Sequence, residues 1–331
     1  GIDKIFRGLK FQLFRTPTAK LRRKMVFEVK KNYITYYIGL ALNFIFGRRH
    51  IVGFVRWLDS LIVKNVSYAQ IFDKYSPSSV LCANLFDEPE VHLMREAKKR
   101  KIKAIGLINS WDKPSARCLL RLIPDRLIVF NNFVKDDLVR YQYVARDKIF
   151  ISGVPQYDQY FGGSFSAREE FFRTIKIDSS KKLIVYAPMG TTYSNSDWDI
   201  IDLLYNLLNN RKFGGDVEIL VRFPPNDHID ENELAKRPSL HYDQPGHLFS
   251  SKRGIDWDLN NSDLAHLRST LKHMDLMVCY ASSISVDSAI LDKPVINIDF
   301  EIRPSEIMAK SPTQFYKMAH YKKALDSGGI R

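Results

Sequence analysis

The sequence predicts an α/β protein with two Rossmann-like domains facing a cleft, behind a basic helical N-terminal segment. Three observations carry this. From residue 78 onward, short apolar runs of strand length alternate with helix-length amphipathic runs, the pattern of parallel sheets covered by helices on both faces. The alternation breaks over residues 156–166, around Gly162-Gly163-Ser164, and then restarts, which marks two consecutive halves. The first 65 residues show helical patterning and a charge unlike the rest.

The elements follow in order. Residues 6–24 interleave Phe6, Leu9, Phe11, Leu13 and Phe14 with Arg7, Lys10, Arg15 and Lys20, as an interfacial helix does; a helix with one packed side and one solvated basic side reads the same way. Residues 33–46 (YITYYIGLALNFIF) are apolar but shorter than the roughly 20 residues of a spanning helix, so a buried or interfacial helix is expected. Strands are read at 80–85, 103–109, 126–131 and 148–152, with helices at 89–100 and 133–143 between them. Gly153-Val154-Pro155 stops the fourth strand. After the break, strands are read at 182–187, 217–223, 275–279 and 294–298. Helices are read at 198–208, at 264–274 with Asp263 as its cap, and from Ser282-Ser283 to 291. Residues 241–262 read as irregular. The expected divisions are a basic segment 1–65, a first domain 66–160, a second 166–303 and a helical tail 304–331.

Composition sets limits. At 331 residues and 45% hydrophobic, the chain has enough apolar content for two cores, and 16 glycines and 14 prolines are too few for a fibrous or disordered chain. Residues 1–64 hold 14 Lys/Arg and 3 Asp/Glu, so nearly all of the net +13 lies there. A basic end on a neutral body suggests docking on an anionic membrane surface rather than nucleic-acid binding. The opening residues do not read as a signal peptide. Cys82, Cys118 and Cys279 lie far apart in apolar runs, as buried free thiols do, and no Cys/His pairing has zinc spacing. His228, His241, His247, His266 and His273 also lack ligand spacing; His266 and His273 share a helix face and read as surface or packing residues. There is no phosphate-loop motif, no Gly-x-Gly-x-x-Gly and no nucleophile elbow. Asp197-Trp198-Asp199 has the spacing of a metal-binding pair but precedes a helix. No metal or other cofactor is expected.

Four segments point to chemistry. At Ser282-Ser283 a strand ends and a helix begins, so backbone N–H groups and two hydroxyls converge as a phosphate cradle would; a plain helix cap accounts for Ser282 equally. Asp287 lies one turn on. Gly190, Thr191 and Thr192 follow the first strand of the second half, where glycine admits close backbone approach and threonines donate. Arg222 and Pro224 end the next strand, where an arginine is ordinarily a surface residue. In the first half, Asp112 follows a strand and is read either as a general base or as the cap of a helix near Pro114. Asp87 and Glu88 are the alternative base, or acceptor-hydroxyl ligands.

These segments resemble a family. Asp275, the Ser282-Ser283 pair and Asp292-Lys293-Pro294-Val295-Ile296 are similar to the C-terminal halves of glycosyltransferases of the GT-B architecture. The clan most resembled includes the CDP-glycerol glycerophosphotransferases and Kdo- or sialyl-type capsule transferases. Tyr186-Ala187-Pro188-Met189 resembles their Tyr-Ala-Pro-Thr loop, and Gly153-Val154-Pro155-Gln156-Tyr157-Asp158 their domain-closing turn. Val221-Arg222-Phe223-Pro224 stands where they carry His-Pro, with Phe223 in place of histidine; the resemblance then implies either that Arg222 supplies the positive charge or that the donor nucleotide differs from the clan's usual cytidine. Asn109-Ser110-Trp111-Asp112 resembles both their Trp-His-Gly-Thr loop, with Asp112 in place of histidine, and a Ser-Trp-Asp-Asn loop of related surface-carbohydrate proteins.

The resemblance implies a metal-independent transferase. It would move a glycosyl or glycerophosphoryl group from a nucleotide-activated donor, such as a nucleotide sugar, to a surface-polysaccharide or lipid-linked acceptor. Such an enzyme is expected in the cytoplasm, peripheral on the inner face of the plasma membrane. The alternatives are a sugar-nucleotide epimerase of the same architecture, with His241 and Asp243 as acid/base groups, and a non-catalytic polyanion or nucleic-acid binder using residues 1–64.

Overall fold

The computed structural model describes residues 1–162, 165–225, 227–249 and 257–328. Gly163 and Ser164 of the expected linker lie outside these. The chain forms two compact units, Gly1–Pro155 with Met318–Lys323, and Gln156–Lys317 with Ala324–Arg331.

Unit 1 opens with five helices: α1 (Ile2–Gln12), α2 (Pro17–Lys30), α3 (Tyr33–Phe46), α4 (Arg49–Ile62) and α5 (Ala69–Tyr75). Proline at the first position of α2 and Thr16 as its cap, accepting the Ala19 N–H at 2.8 Å, explain where α2 starts. Asn32 caps α3 in the same way. The basic segment is partly core: Phe6, Leu13, Phe14 and Val52 are buried, and Leu13, Phe14 and Val52 cluster with Leu119. Asp59 of α4, also buried, receives Arg95 at 2.7 Å and Arg121 at 2.8 Å. Removing one member of such a buried ion network costs about 3–5 kcal/mol, so these bonds fix the helices to the unit. The outward side is apolar, with Tyr33, Ile34, Tyr37 and Ile38 of α3 and Phe54 and Trp57 of α4 exposed. Among the described residues no single helix is long and apolar enough to cross a membrane; α3 and α4 pass that test only together, bent by 99°.

The sheet of unit 1 is parallel, in the order β1 (Ser79–Cys82), β2 (Lys103–Leu107), β3 (Arg126–Val129), β4 (Ile149–Ile151). The connections contain α6 (Glu88–Lys99), α7 (Lys113–Ala116) and α8 (Asn132–Gln142). Every step runs the same way across the sheet, so right-handed crossovers place all three helices on one face. Val80, Cys82, Ala104, Leu127 and Val129 are buried there, while Leu81 (62%) and Phe150 (66%) on the opposite face are exposed. The expectation that both faces are covered therefore fails in this unit.

Unit 2 begins with α9 (Gln159–Gly162) and α10 (Arg168–Thr174) and continues with β5 (Lys182–Ala187), α11 (Asp197–Asn209), β6 (Val217–Arg222), α12 (Glu231–Ala235) and β7 (His241–Asp243). A hairpin of β8 (His247–Leu248) and β9 (Trp257–Asp258) precedes α13 (Asn261–His273), β10 (Leu276–Cys279), α14 (Ile284–Ile290) and β11 (Val295–Asn297). The parallel sheet has the order β11-β10-β5-β6-β7. Here both faces are buried: Ile184, Tyr186, Ile219 and Val221 enter one core, and Leu183, Val185, Leu220 and Met277 the other.

Three expectations change. Residues 241–243 are a sheet strand rather than irregular, because their partners along β6 supply the pairing that local sequence does not signal. The helix read from residue 264 starts at Asn261; Asn260 is its cap, and Asp263 closes a capping box from the third helical position. The expected linker holds a helix, α9, whose Tyr160 is buried. The last helix, α15 (Ala319–Asp326), begins within unit 1, where the Ala319 N–H donates to Thr18 Oγ1 at 2.8 Å. The three cysteines are free and buried, and burial first of all pushes each thiol up to about 11.

Candidate active site

In unit 2 the strand order steps from β5 through β6 to β7, then reverses to β10 and β11. β5 and β10 are therefore the switch point, where the loops leaving their carboxyl ends turn to opposite sides and open a crevice. A cavity of about 270 Å³ lies there. It is lined by Pro188 and Met189 after β5, Arg222 through Pro225 at the end of β6, and Ser282, Ser283 and Asp287 after β10. The structure thus brings together Arg222, Pro224, Ser282, Ser283 and Asp287, which are far apart in sequence.

Arg222 is not the ordinary surface residue of the alternative reading. It is 6% exposed, and its Nη1 donates to Asp243 Oδ2, which also bonds His266 Nε2 at 2.7 Å. Nε and Nη2 of Arg222 have no protein acceptor among the described residues, so a buried guanidinium offers donors to the cavity. Asp243 Oδ1 is buried and unbonded. Because Asp243 holds Arg222 and His266, it is a structural anchor here rather than an unencumbered acid/base group. Phe223 packs against Trp198, with ring centroids 5.5 Å apart, and forms an apolar wall. Two carboxylates on the lining are committed: Asp263 accepts the N–H groups of Asn260 and Gly246, and Asp287 accepts Tyr160 Oη at 2.8 Å. Burial raises the Asp287 carboxyl above its usual range, against the opposing bond from Tyr160.

The serine pair divides its roles. Ser282 Oγ accepts the Ile284 N–H at a long 3.5 Å, while Ser283 is exposed and makes no side-chain cap bond. α14 is only seven residues long, and its N–H groups from Ser285 to Asp287 already bond Ser282 and Ser283 carbonyls. The cradle of open helix N–H groups expected from sequence is largely filled.

Gly190, Thr191 and Thr192 do not line this cavity. The Gly190 N–H donates to Asp197 Oδ2 at 2.8 Å, and Thr191 donates through its N–H and Oγ1 to Asp227. Gly190 has a φ of +90°, a conformation that glycine adopts without strain. Thr192 is exposed. Burial raises the Asp197 carboxyl, partly offset by the bonds from Gly190 and Met189.

Unit 1 gathers a polar cluster at the carboxyl ends of β1 and β2. Lys113 Nζ bonds Asn84 Oδ1 at 2.9 Å and Asn109 Oδ1 at 2.8 Å, Asn84 donates to Asp87, and Ser110 donates to Asp112. Asp87 and Asp112 thus belong to one cluster. Asp112 sits at the cap position of α7, yet its side chain makes no cap bond, so the helix-cap reading does not account for it. Glu88 must be corrected: it points to the helical segment and is held by Lys10 at 2.6 Å and Arg121 at 2.5 Å. Burial alone would raise its carboxyl, but these bonds hold it below the usual range. It is a structural counter-ion, not a base. Asp3, Glu88 and His92 approach within 4.8 Å of one another, but Arg7, Lys10 and Arg121 already neutralise those carboxylates.

His320 was missed by the sequence reading. The segment Met318–Lys323 returns to unit 1 and sets its ring edge-on to Trp111, with centroids 5.0 Å apart. Its Nδ1 is buried without a partner, and burial pushes the ring down to about 4, against the pull of the Asp112 charge. More than 200 residues separate it from Asp112, and no local motif signals it.

The family model of CDP-glycerol:poly(glycerophosphate) glycerophosphotransferase matches residues 121–304. No curated protein matches the chain by sequence. Among solved structures, a putative UDP-N-acetylglucosamine 2-epimerase from Listeria monocytogenes is similar at 11% identity, over 83% of this chain and 70% of that one, with a TM-score of 0.47. The UDP-GlcNAc 2-epimerase from Methanocaldococcus jannaschii is similar at 15% identity over 85% and 76%, with a TM-score of 0.46. The wall teichoic acid polymerase TagF is similar at 15% identity over 81% and 79%, with a TM-score of 0.35. At these scores the likenesses carry no argument about function. The family match covers more than half of the chain, including all of the strands around the switch-point cavity. This chain belongs to the CDP-glycerol:poly(glycerophosphate) glycerophosphotransferase family and is a transferase.

Proposed function

We propose that the protein transfers a glycosyl or glycerophosphoryl group from a nucleotide-activated donor to a surface-polysaccharide or lipid-linked acceptor, without a metal ion. The observation that carries this is the switch-point cavity, where Arg222, Ser283 and Pro224 converge beyond the strand ends. The donor's phosphate takes the open donors of Arg222 and the hydroxyl of Ser283. Arg222 then stabilises charge on the leaving nucleotide. Phe223 and Met189 supply the apolar wall for the base or sugar. Asp112, with Asp87 in the same cluster, accepts the proton of the acceptor hydroxyl. Membership of a transferase family weighs against both the epimerase and the non-catalytic binder.

The reading includes a place of action: a cytoplasmic enzyme on the inner face of the plasma membrane. The exposed apolar residues of α3 and α4 and the positive charge of residues 1–64 support it.

The test is a thermal-shift screen of the full chain with CMP, CDP, UDP, GDP and dTDP, with and without magnesium. A nucleotide at about 100 times its dissociation constant adds about 2.7 kcal/mol of stability. One nucleotide should stand out without magnesium and weaken in Ser283→Ala. No shift with any of them, or a shift untouched by Ser283→Ala, rejects the donor site.

A further inference from the structure

We propose that unit 1 holds a binding site for a single phosphate-headed membrane lipid, in the pocket that α1, α2 and α3 form beside α7. The inference deepens the membrane part of the reading above and rests on it. The pocket has a volume of about 340 Å³, within the roughly 300–1,000 Å³ of ligand sites. Its floor is apolar, with buried Phe14 and half-buried Phe27 and Tyr36 among the lining residues, and Val26, which also lines it, is exposed. Its rim carries Arg22, Lys30 and Arg117, and no carboxylate lines it.

The cations differ in their commitments. Arg23 forms the wall, donating to the carbonyls of Phe11, Gln12 and Phe14 at 2.8, 3.2 and 2.9 Å. Arg22 makes one bond, to the Ala116 carbonyl at 3.1 Å, and Lys30 and Arg117 have no protein partner among the described residues. Three positive groups around one pocket without a counter-charge attract an anion, and guanidinium groups match phosphate oxygens in paired bonds. Free phosphate or a nucleotide would leave the apolar floor in contact with water. An acyl or isoprenoid chain covers it. The pocket's α3 wall, Asn32, Thr35 and Tyr36, alternates with the exposed Tyr33, Ile34, Tyr37 and Ile38, so a lipid reaches it from an apolar surface.

Position gives the site its use. Arg117 closes α7, the four-residue helix that begins just after Asp112. At 1.5 Å per helical residue, the backbone of Arg117 lies about 7.5 Å along α7 from that of Asp112, the proposed base.

The experiment is isothermal titration of the full chain with dioctanoyl phosphatidate, dioctanoyl phosphatidylcholine and inorganic phosphate, with the lipids kept below micelle formation. One phosphatidate should bind per chain. Arg22→Gln/Arg117→Gln, on exposed side chains, should weaken it at least tenfold. Val26→Trp, which fills the pocket without changing charge, should do the same. Phosphatidylcholine binding as tightly, full competition by inorganic phosphate, or unchanged affinity in both variants would each overturn the proposal. Nucleotide thermal shifts on the same preparations separate it from the donor reading: lipid binding without any nucleotide shift sinks only that reading, and the converse sinks only this one.

Discussion

Arg222→Met tests the centre of the switch-point site. The substitution keeps the aliphatic stem and removes the guanidinium that Asp243 Oδ2 holds. Asp243 is then a nearly buried carboxylate with His266 as its remaining ion-pair partner and Oδ1 already unbonded. Removing one partner of a buried pair costs about 3–5 kcal/mol; since His266 stays, we take the lower end, about 3 kcal/mol. For a unit of this size each kcal/mol shifts the melting temperature by about 2–4 °C, so the transition of unit 2 should fall by about 6–12 °C in calorimetry of the full chain. The double variant Arg222→Met/Asp243→Leu removes both charges and should regain stability to within about 1 kcal/mol of the wild type. Nucleotide binding should be lost in both variants. A single variant melting within about 1 °C of the wild type, or a double variant no more stable than the single, would refute the claim that a buried pair holds this site. Undiminished nucleotide affinity in Arg222→Met would refute the role of the guanidinium in donor binding.

Two further outcomes are expected. Asp112→Asn should lower transfer by about 10²–10⁴-fold while leaving nucleotide affinity unchanged, since a general base contributes about that factor; equal turnover in the variant ends the assignment. The pH dependence of stability follows from His320, whose ring titrates at about 4 in the fold against an ordinary 6.5. The unfolded chain binds this proton first as pH falls, so the ring's contribution is complete above pH 6.5 and is lost between 6.5 and 4. His320→Asn should flatten the acid limb of a melting-temperature profile over that window, and parallel slopes for variant and wild type would show that the ring is not buried neutral.

Much was legible in the chain itself. Period and length located eight of the eleven described strands to within a few residues, because apolar runs of strand length bounded by Gly, Pro and Asn have few other solutions; β7, β8 and β9 were not among them. Ser282-Ser283 stood out because it sits where a strand ends, and in an open parallel sheet ligands bind there, whereas Arg222-Phe223-Pro224 was marked by its resemblance to a His-Pro motif. What local sequence does not encode is which strand lies beside which. The reversal of order at β5 and β10, which brings Arg222 to the serine pair, is a property of the sheet. So is the one-sided cover of the unit 1 sheet. The fates of polar groups were also decided by distant partners: Glu88 by Lys10 and Arg121, Thr191 by Asp227, Arg222 by Asp243, and His320 by a return of the chain to Trp111. A sequence specifies a residue's chemistry and its local backbone, whereas whether a carboxylate or guanidinium is available depends on burial and counter-charge, and those exist only once the chain has packed.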